Sequence, residues 1–290
     1  MRKTTANVAS QLRNFDVHVS PRTVARLLRK LKFSLRVNQK RLGVKHPDRD
    51  RQFRRIARLR RRFVQQGEPI ISIDAKKREL VGHFKNAGAK WDREPTLVND
   101  HDFRTLASGV AVLYGVYDVS ANRGAMSVGV SHETSAFACA SIRNWWQQSG
   151  RRRYPSAQNL LILADTGGGN AAARGAWKDQ LQLQLCDRFG LTVTVAHYPT
   201  GASKYNPIER RLFCQISRNW KGEPLKSYET ILKFIRTTST STGLIVTARV
   251  DRKQYPVGIK PSAARLRQLN LTKATFAPRW NYTIRPSAAK

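Results

Sequence analysis

The sequence predicts an α/β fold in which a mixed five-stranded sheet carries helices on both faces, preceded by an α-helical helix-turn-helix segment. Three observations lead there. Short apolar runs of strand length recur between residues 69 and 195. Segments with apolar residues at helical spacing lie between and after them. The order from residue 69 is strand, strand, strand, helix, strand, helix, strand, helix.

Thr4 to Asn14 reads as a short helix with Val8 and Leu12 on one side. A second helix runs to Leu31, with Ser20 as N-cap and Pro21 as first helical residue. Val24, Leu27, Leu28 and Leu31 recur at helical spacing and are expected to face inward. Arg22, Thr23, Arg26, Arg29 and Lys30 are left outside. A helix-turn-helix that lays its second helix in the major groove has this form. Any small helical hairpin with a solvated basic face has it too. His46 to Gln66 predicts a strongly basic helix with Phe53, Ile56, Leu59 and Phe63 as one stripe. Either it packs and solvates its other face, or it is a linker lying along a phosphate backbone.

Pro69 to Ile73 is a short buried strand. Val110 to Val119 and Ala125 to Val130 read as two more, joined by a hairpin turn at Ala121–Gly124. Ser131 or Thr134 caps a helix from about Ser135 to Gln148. Leu160 to Ala164 is a buried strand, and a helix covers Ala171 to Phe189. Leu191 to Val195 is the fifth strand, and a last helix covers Pro207 to Trp220. This order of elements is that of the ribonuclease-H-like fold. The expected domains are a helix-turn-helix segment over 1–45, a basic linker helix over 46–68, a catalytic domain over 69–225, and a C-terminal helix with a basic extension over 226–290.

Charge narrows the function. There are 53 Lys and Arg against 19 Asp and Glu, a formal net charge of +34. A compact body so charged repels itself unless an anionic partner neutralises it, and nucleic acid is the natural partner because each phosphate contact releases counterions. No apolar run approaches the roughly 18 residues of a membrane span, and no secretory signal is visible. Cys139, Cys186 and Cys214 are widely spaced and odd in number, which argues against a structural zinc site and for a reducing, cytoplasmic setting.

Acidic residues are scarce, so those in the core region are informative. Asp74 is expected directly after the first strand, Asp165 directly after the fourth, and Glu209 in the first turn of the last helix. In the fold above these places meet at one edge of the sheet. Three carboxylates there suit magnesium or manganese, which take hard oxygen ligands. Two such ions about 4 Å apart support in-line attack on phosphorus. Thr166 to Asn170 opens a helix and is rich in glycine, but it lacks the Lys-Ser/Thr of a nucleotide-binding loop, so no small-molecule substrate is expected. Those glycines are read as letting DNA or metal approach the backbone. Lys76 and Lys77 either meet a phosphate near the metals or are solvated. Ser203, Lys204 and Asn206 lie in the loop entering the Glu209 helix and are candidates to hold a DNA end. His83, His101 and His197 are isolated.

Several blocks carry a family resemblance. They are Ile73–Gly82, Phe84–Gly88, Tyr114–Asp118, Ser141–Trp146, Leu163–Asn170, His197–Pro199, Ser203–Phe213 and Trp280–Tyr282. Together, from about Val19 to Pro286, they resemble the ISAzo-type insertion-sequence transposases, which have a DDE catalytic domain. The resemblance implies a ribonuclease-H-like domain, magnesium dependence, and cutting and joining of DNA at the ends of a mobile element. It implies that Asp74, Asp165 and Glu209 are the three acidic positions. Partners are then double-stranded DNA, as element ends and target, and further copies of the chain on that DNA, in the bacterial cytoplasm at the nucleoid, with no membrane. The chain departs from the family at Ala75, where Thr is usual, and at Arg210, where His is usual. A longer N-terminal DNA-binding region is also usual, so the chain is expected to be a shortened copy. Two other functions fit the residues: a nuclease of the same fold that does not join strands, and a non-catalytic DNA-binding remnant.

Overall fold

The computed structural model describes residues 4–36 and 46–287. The chain divides into two compact units, Met1–Val44 and Lys45–Lys290. The expected boundary after residue 45 itself lies outside the described residues.

In the first unit, α1 (Thr5–Leu12) and α2 (Pro21–Lys30) are joined through a 3-10 turn over Arg13–Phe15. Each helix starts at a side-chain cap. Thr4 Oγ1 accepts from the Asn7 N–H and Ser20 Oγ from the Thr23 N–H, both at 3.1 Å. These bonds satisfy donors that have no partner within the helix. Val24 is buried, but Leu27 is 43% and Leu31 is 68% exposed. The expectation that the whole apolar stripe of α2 faces inward therefore needs correction. The facing helix, Thr-Ala-Asn-Val-Ala-Ser-Gln-Leu, brings only two large apolar side chains to cover four.

The second unit is built on one sheet with strand order β6-β3-β2-β1-β4-β5-β8-β7. The strands are β1 (Ile70–Val81), β2 (Gly109–Asp118), β3 (Arg123–Gly129), β4 (Asn159–Ala164), β5 (Thr192–His197), β6 (Ile245–Asp251), β7 (Leu271–Lys273) and β8 (Asn281–Ile284). The central five, β3-β2-β1-β4-β5, form the ribonuclease-H-like mixed sheet: β1 to β3 are an antiparallel meander, and β4 and β5 run parallel to β1. Three further strands widen it beyond the five expected. β6 pairs parallel with β3, β8 antiparallel with β5, and β7 with β8. Residues 226–290, expected as a helix and a basic extension, thus supply both outer margins of the sheet.

Two helical layers cover the sheet. On one face lie α4 (Ser135–Trp145) and α5 (Gly175–Leu181), each continued through a π-turn, Trp146–Gly150 and Gln182–Cys186. Thr134 is the cap of α4, accepting from the Phe137 N–H at 3.2 Å. Phe137, Ile142, Trp145, Trp177 and Leu181 bury against Ile71, Ile73, Leu160 and Ile162. The expected helix from Ala171 begins only at Gly175, because a 3-10 turn over Gly168–Asn170 occupies the approach to it.

The other face carries α3 (Arg49–Gln65), then α6 (Cys214–Asn219) with a π-turn over Glu209–Phe213 leading into it, and α7 (Tyr228–Arg236). Ile56, Leu59 and Phe63 of α3 bury on Ile70, Leu161 and Leu163. Arg51, Arg54, Arg58, Arg61 and Arg62 remain exposed. Gln52 is fully buried and fixes the register of α3. Its Nε2 donates to the His197 carbonyl at 2.8 Å and to Asn281 Oδ1 at 3.0 Å, and its Oε1 accepts from Asn281 Nδ2 at 2.8 Å. α8 (Ala263–Arg267) is short, and Arg265 Nε on it pairs with Asp179 at 2.6 Å. No helix among the described residues is long and apolar enough to cross a membrane.

Candidate active site

Asp74 was expected directly after the first strand, but it lies inside one. β1 pairs with β4 only from Ile70 to Ile73, while its pairing with β2 continues to Val81. The strand overshoots its parallel neighbour, and Asp74 occupies the fork where the sheet opens. Its partner across the antiparallel ladder is Gly115. A Cβ at Gly115 would lie 2.6 Å from Phe213 and 2.8 Å from Ile208. Glycine there lets the segment carrying Glu209 press onto β2 directly beside Asp74 on β1.

The turn before that helix is locked to β1. The Ser72 hydroxyl donates to Asn206 Oδ1 at 2.5 Å and accepts from the Ile208 N–H at 2.9 Å, and Asn206 Nδ2 donates to the Ile73 carbonyl at 3.0 Å. The Asn206 carbonyl in turn accepts the Glu209 N–H at 3.1 Å. Asn206 is fully buried with its amide committed, so its assignment as a DNA contact is corrected: it positions Glu209. Ser203 and Lys204, beside it, are exposed.

Asp165 follows β4 as expected. Its Oδ1 accepts from the Gly167 N–H at 3.0 Å and from Asn170 Nδ2 at 3.4 Å. Its backbone carbonyl faces His197 Nδ1 at 2.6 Å. A carbonyl only accepts, so Nδ1 carries the proton and Nε2 is free to accept from the Tyr282 hydroxyl at 3.0 Å. Tyr282 oxygen accepts in turn from Trp177 Nε1 at 2.7 Å. Burial pushes the His197 ring down to about 4, which keeps it neutral for this role. His197 and Tyr282 were not recognised as site residues from sequence. The only signal was that both stand within blocks carrying the family resemblance.

The glycines after Asp165 also have a structural cause. Gly168 has φ +63°, and a Cβ on it would come 2.3 Å from Glu133 Oε1. One on Gly169 would come 2.9 Å from the Thr134 carbonyl. They let the Asp165 loop pack onto the start of α4, where Glu133 Oε1 accepts the Gly169 N–H at 2.9 Å. Glu133 is a further carboxylate at the site, and its field reaches Asp74.

Asp74, Asp165 and Glu209 converge electrostatically. The Asp74 carboxyl is pushed up to about 8, first by burial and then by the nearby Asp165, with Glu209 and Glu133 adding to it. Glu209 is raised as well, first by burial, with an Asp74 hydrogen bond opposing. Among the described residues no three His, Cys, Asp or Glu side chains stand close enough to hold a metal ion as arranged. Lys76 is engaged within the protein: its Nζ pairs with Glu79 at 3.1 Å and lies 4.7 Å from the Trp220 ring centroid. Lys77 is exposed. On α2, in the other unit, Arg22, Arg26, Arg29 and Lys30 are exposed, while Thr23 shares a hydrogen bond with the Ser20 hydroxyl at 3.0 Å.

A family model described as the Rhodopirellula transposase DDE domain matches residues 1–286. A search of curated protein sequences finds no match. Among solved structures, the fold is similar to a Mos1 transposase paired-end complex with the left transposon end, at TM-score 0.44 and 17% identity over 81% of this chain and 66% of that one. It is similar to the Mos1 strand transfer complex at TM-score 0.44 and 17% identity, over 81% and 65% of the two chains. A Mos1 mariner paired end complex with Mn gives TM-score 0.45 and 17% identity over 81% and 66%. The chain spans just under two thirds of the length of these solved chains.

Proposed function

The chain belongs to the transposase DDE-domain family, and we propose that it is the DNA transposase of an insertion sequence, cleaving and joining strands at the element's ends. The observation that carries this reading is the convergence of Asp74, Asp165 and Glu209 on the fork of the sheet, in a chain of net charge +34. Catalytic acids cluster where burial and like charge displace their titration.

The donor set fits a divalent cation. The three side chains are carboxylates, the hard oxygen donors such ions take, and burial with the neighbouring Asp165 charge keeps a proton on Asp74 that a cation would displace. Asp74, Asp165 and Glu209 would hold magnesium or manganese, two ions to the site. When bound, the metal supplies Lewis acidity for attack on phosphorus by water or a 3′-hydroxyl. The chain's own residues do the positioning. His197 fixes the Asp165 backbone, Ser72 and Asn206 fix the Glu209 turn, and the buried neighbourhood of Asp74 strengthens every charge interaction.

DNA contacts fall on exposed cations. Arg22, Arg26, Arg29 and Lys30 on α2 are suited to one groove and its phosphates, with Lys77, Ser203 and Lys204 along the strand near the carboxylates. The setting is the bacterial nucleoid, with the chain assembled as copies of itself on element ends and target DNA. The test is incubation with duplexes carrying the element's ends and with pre-cleaved ends plus target DNA, in magnesium. Cleavage and joined products are expected. Asp74→Ala should abolish both while duplex binding remains, and a cutting Asp74→Ala enzyme would overturn the site. Cleavage without joining would reduce the protein to a nuclease.

A further inference from the structure

A cavity of about 510 Å³ opens beside the turn that carries Glu209. Its wall draws on three separate elements. Arg60 comes from α3, Tyr117 from β2, and Lys204, Tyr205, Arg210 and Arg211 from the Glu209 loop and helix start. Four of these six are cations, and no carboxylate is among the described residues lining it. None of the four is in an ion pair among the described residues. Concentrating unpaired cations in one concavity costs stability unless an anion enters.

The cavity lies on the face of the sheet that carries Asp74. Tyr117 pairs with Ser72, and Gly115 with Asp74, so the two rungs are two residues apart on the same side. That is about 7 Å along the strand. The aromatic walls are held in place. The Tyr117 hydroxyl donates to Asn122 Oδ1 at 2.9 Å, and Asn122 Nδ2 donates to the Thr242 carbonyl at 2.9 Å. Tyr205 is 45% exposed, and its ring is buttressed edge-on by Phe53 at 5.0 Å between centroids. The charges of Arg211 and Arg60 both reach the Tyr117 phenol.

We propose that this cavity binds a single-stranded segment of DNA, its phosphates on Arg60, Arg210, Arg211 and Lys204 and a base against Tyr205. The proposal rests on the transposase reading and extends it: the strand next to the scissile phosphate is held unpaired. Cationic grooves with an aromatic platform take single strands without regard to sequence. The volume lies within the range of roughly 300–1,000 Å³ typical of ligand pockets, more room than one phosphate needs. A duplex keeps its bases stacked along its axis and cannot present one to Tyr205.

The experiment compares a fluorescent single-stranded oligonucleotide with a blunt hairpin of equal length, by anisotropy in EDTA at several salt concentrations. Arg60→Ala/Arg211→Ala should weaken single-strand binding about tenfold and lower its salt slope by about 1.4, while hairpin binding changes far less. Arg151→Ala/Arg152→Ala, which removes two exposed charges elsewhere, should leave the single-strand preference unchanged. Arg60→Lys/Arg211→Lys should restore most of the binding, and thermal melts check folding of every variant. Equal loss on both probes, or a loss no greater than in the Arg151/Arg152 variant, overturns the proposal. Cleavage of element ends by the wild type is measured in parallel. Cleavage without the selective loss sinks the cavity alone, and selective loss without cleavage sinks the transposase reading alone.

Discussion

The His197 Nδ1–H donates to the backbone carbonyl of Asp165 across 2.6 Å, from the end of β5 to the residue that follows β4. A buried chain of donors stands behind that bond, from Trp177 through Tyr282 to His197. Tyr282→Phe leaves the Trp177 N–H and the His197 Nε2 without partners. It is expected to cost roughly 1–3 kcal/mol of stability, read from the urea midpoint. Strand cleavage by the folded variant should also slow, because Asp165 loses its backing.

The depressed titration of His197 has a sign. Its ring is held down to about 4 when folded and titrates near 6.5 when unfolded. The unfolded chain therefore binds more protons between those values. The stability His197 contributes is complete above about pH 6.5 and is lost as the pH falls toward 4. Urea midpoints from pH 7 to pH 4 should fall more steeply for the wild type than for His197→Gln. Parallel curves would show that the ring does not titrate as described.

Asp74 works in the opposite direction. Its carboxyl is raised to about 8 in the metal-free fold, so the folded state holds a proton that the unfolded state has released. That stabilisation is full below the ordinary carboxylate range and is lost as the pH rises through 8. A divalent cation competes with the proton for the same oxygens. Added magnesium should raise Tm more at pH 8 than at pH 5, and Asp74→Asn should remove most of the difference. A magnesium effect independent of pH would contradict this.

Asn206 and Lys204 are two residues apart and should behave differently. Asn206→Ala strands the Ser72 hydroxyl and frees the turn before Glu209. A loss of roughly 1–3 kcal/mol is expected, together with reduced cleavage. Lys204→Ala removes an exposed side chain and should change stability by no more than about 0.5 kcal/mol, while weakening DNA binding. Thermal melts and anisotropy on the same preparations separate the two.

The Gln52–Asn281 amide pair should be measurable as a coupling. A change to Ala at either position takes from the other buried amide its partner across the pair, leaving Gln52 only the His197 carbonyl or Asn281 only the Phe276 and Ala277 carbonyls. The double variant removes both, so a double-mutant cycle should show coupling of about 0.5–3 kcal/mol. Additive single effects would mean the pair does not hold α3 to the sheet.

The central five strands were legible from short apolar runs buried on both faces, as at Leu160–Ala164, or from apolar alternation, as at Thr192–Val195. The caps at Ser20 and Thr134 were legible because capping is local chemistry. The overshoot of β1 was not. Residues Lys76 to Glu79 are charged, and a strand that lacks one neighbour beyond its first four residues needs no apolar alternation there. β6 and β8 escaped for a related reason: marginal strands are defined by a partner far away in sequence, such as Arg123 for Ile245. At the site, the three carboxylates could be picked out because acids are scarce. Asn206 was misread as a DNA contact because a loop amide beside Ser203 and Lys204 gives no sign that Ser72 waits for it. His197 appeared isolated because its partners are the Asp165 carbonyl and Tyr282, 32 and 85 residues away.

The Gln52–Asn281 pair spans 229 positions of the chain, and Tyr282 stands next to it. A ribosome making this protein therefore releases Asp74, Asp165 and Glu209 well before the residues that brace them. Until Asn281 and Tyr282 emerge, α3 has no amide partner and the His197 ring has no hydroxyl to lean on. Emergence of Asn281 and Tyr282 thus sets the moment at which these braces can form, and a nascent chain that has not yet exposed them carries the three acids without that support.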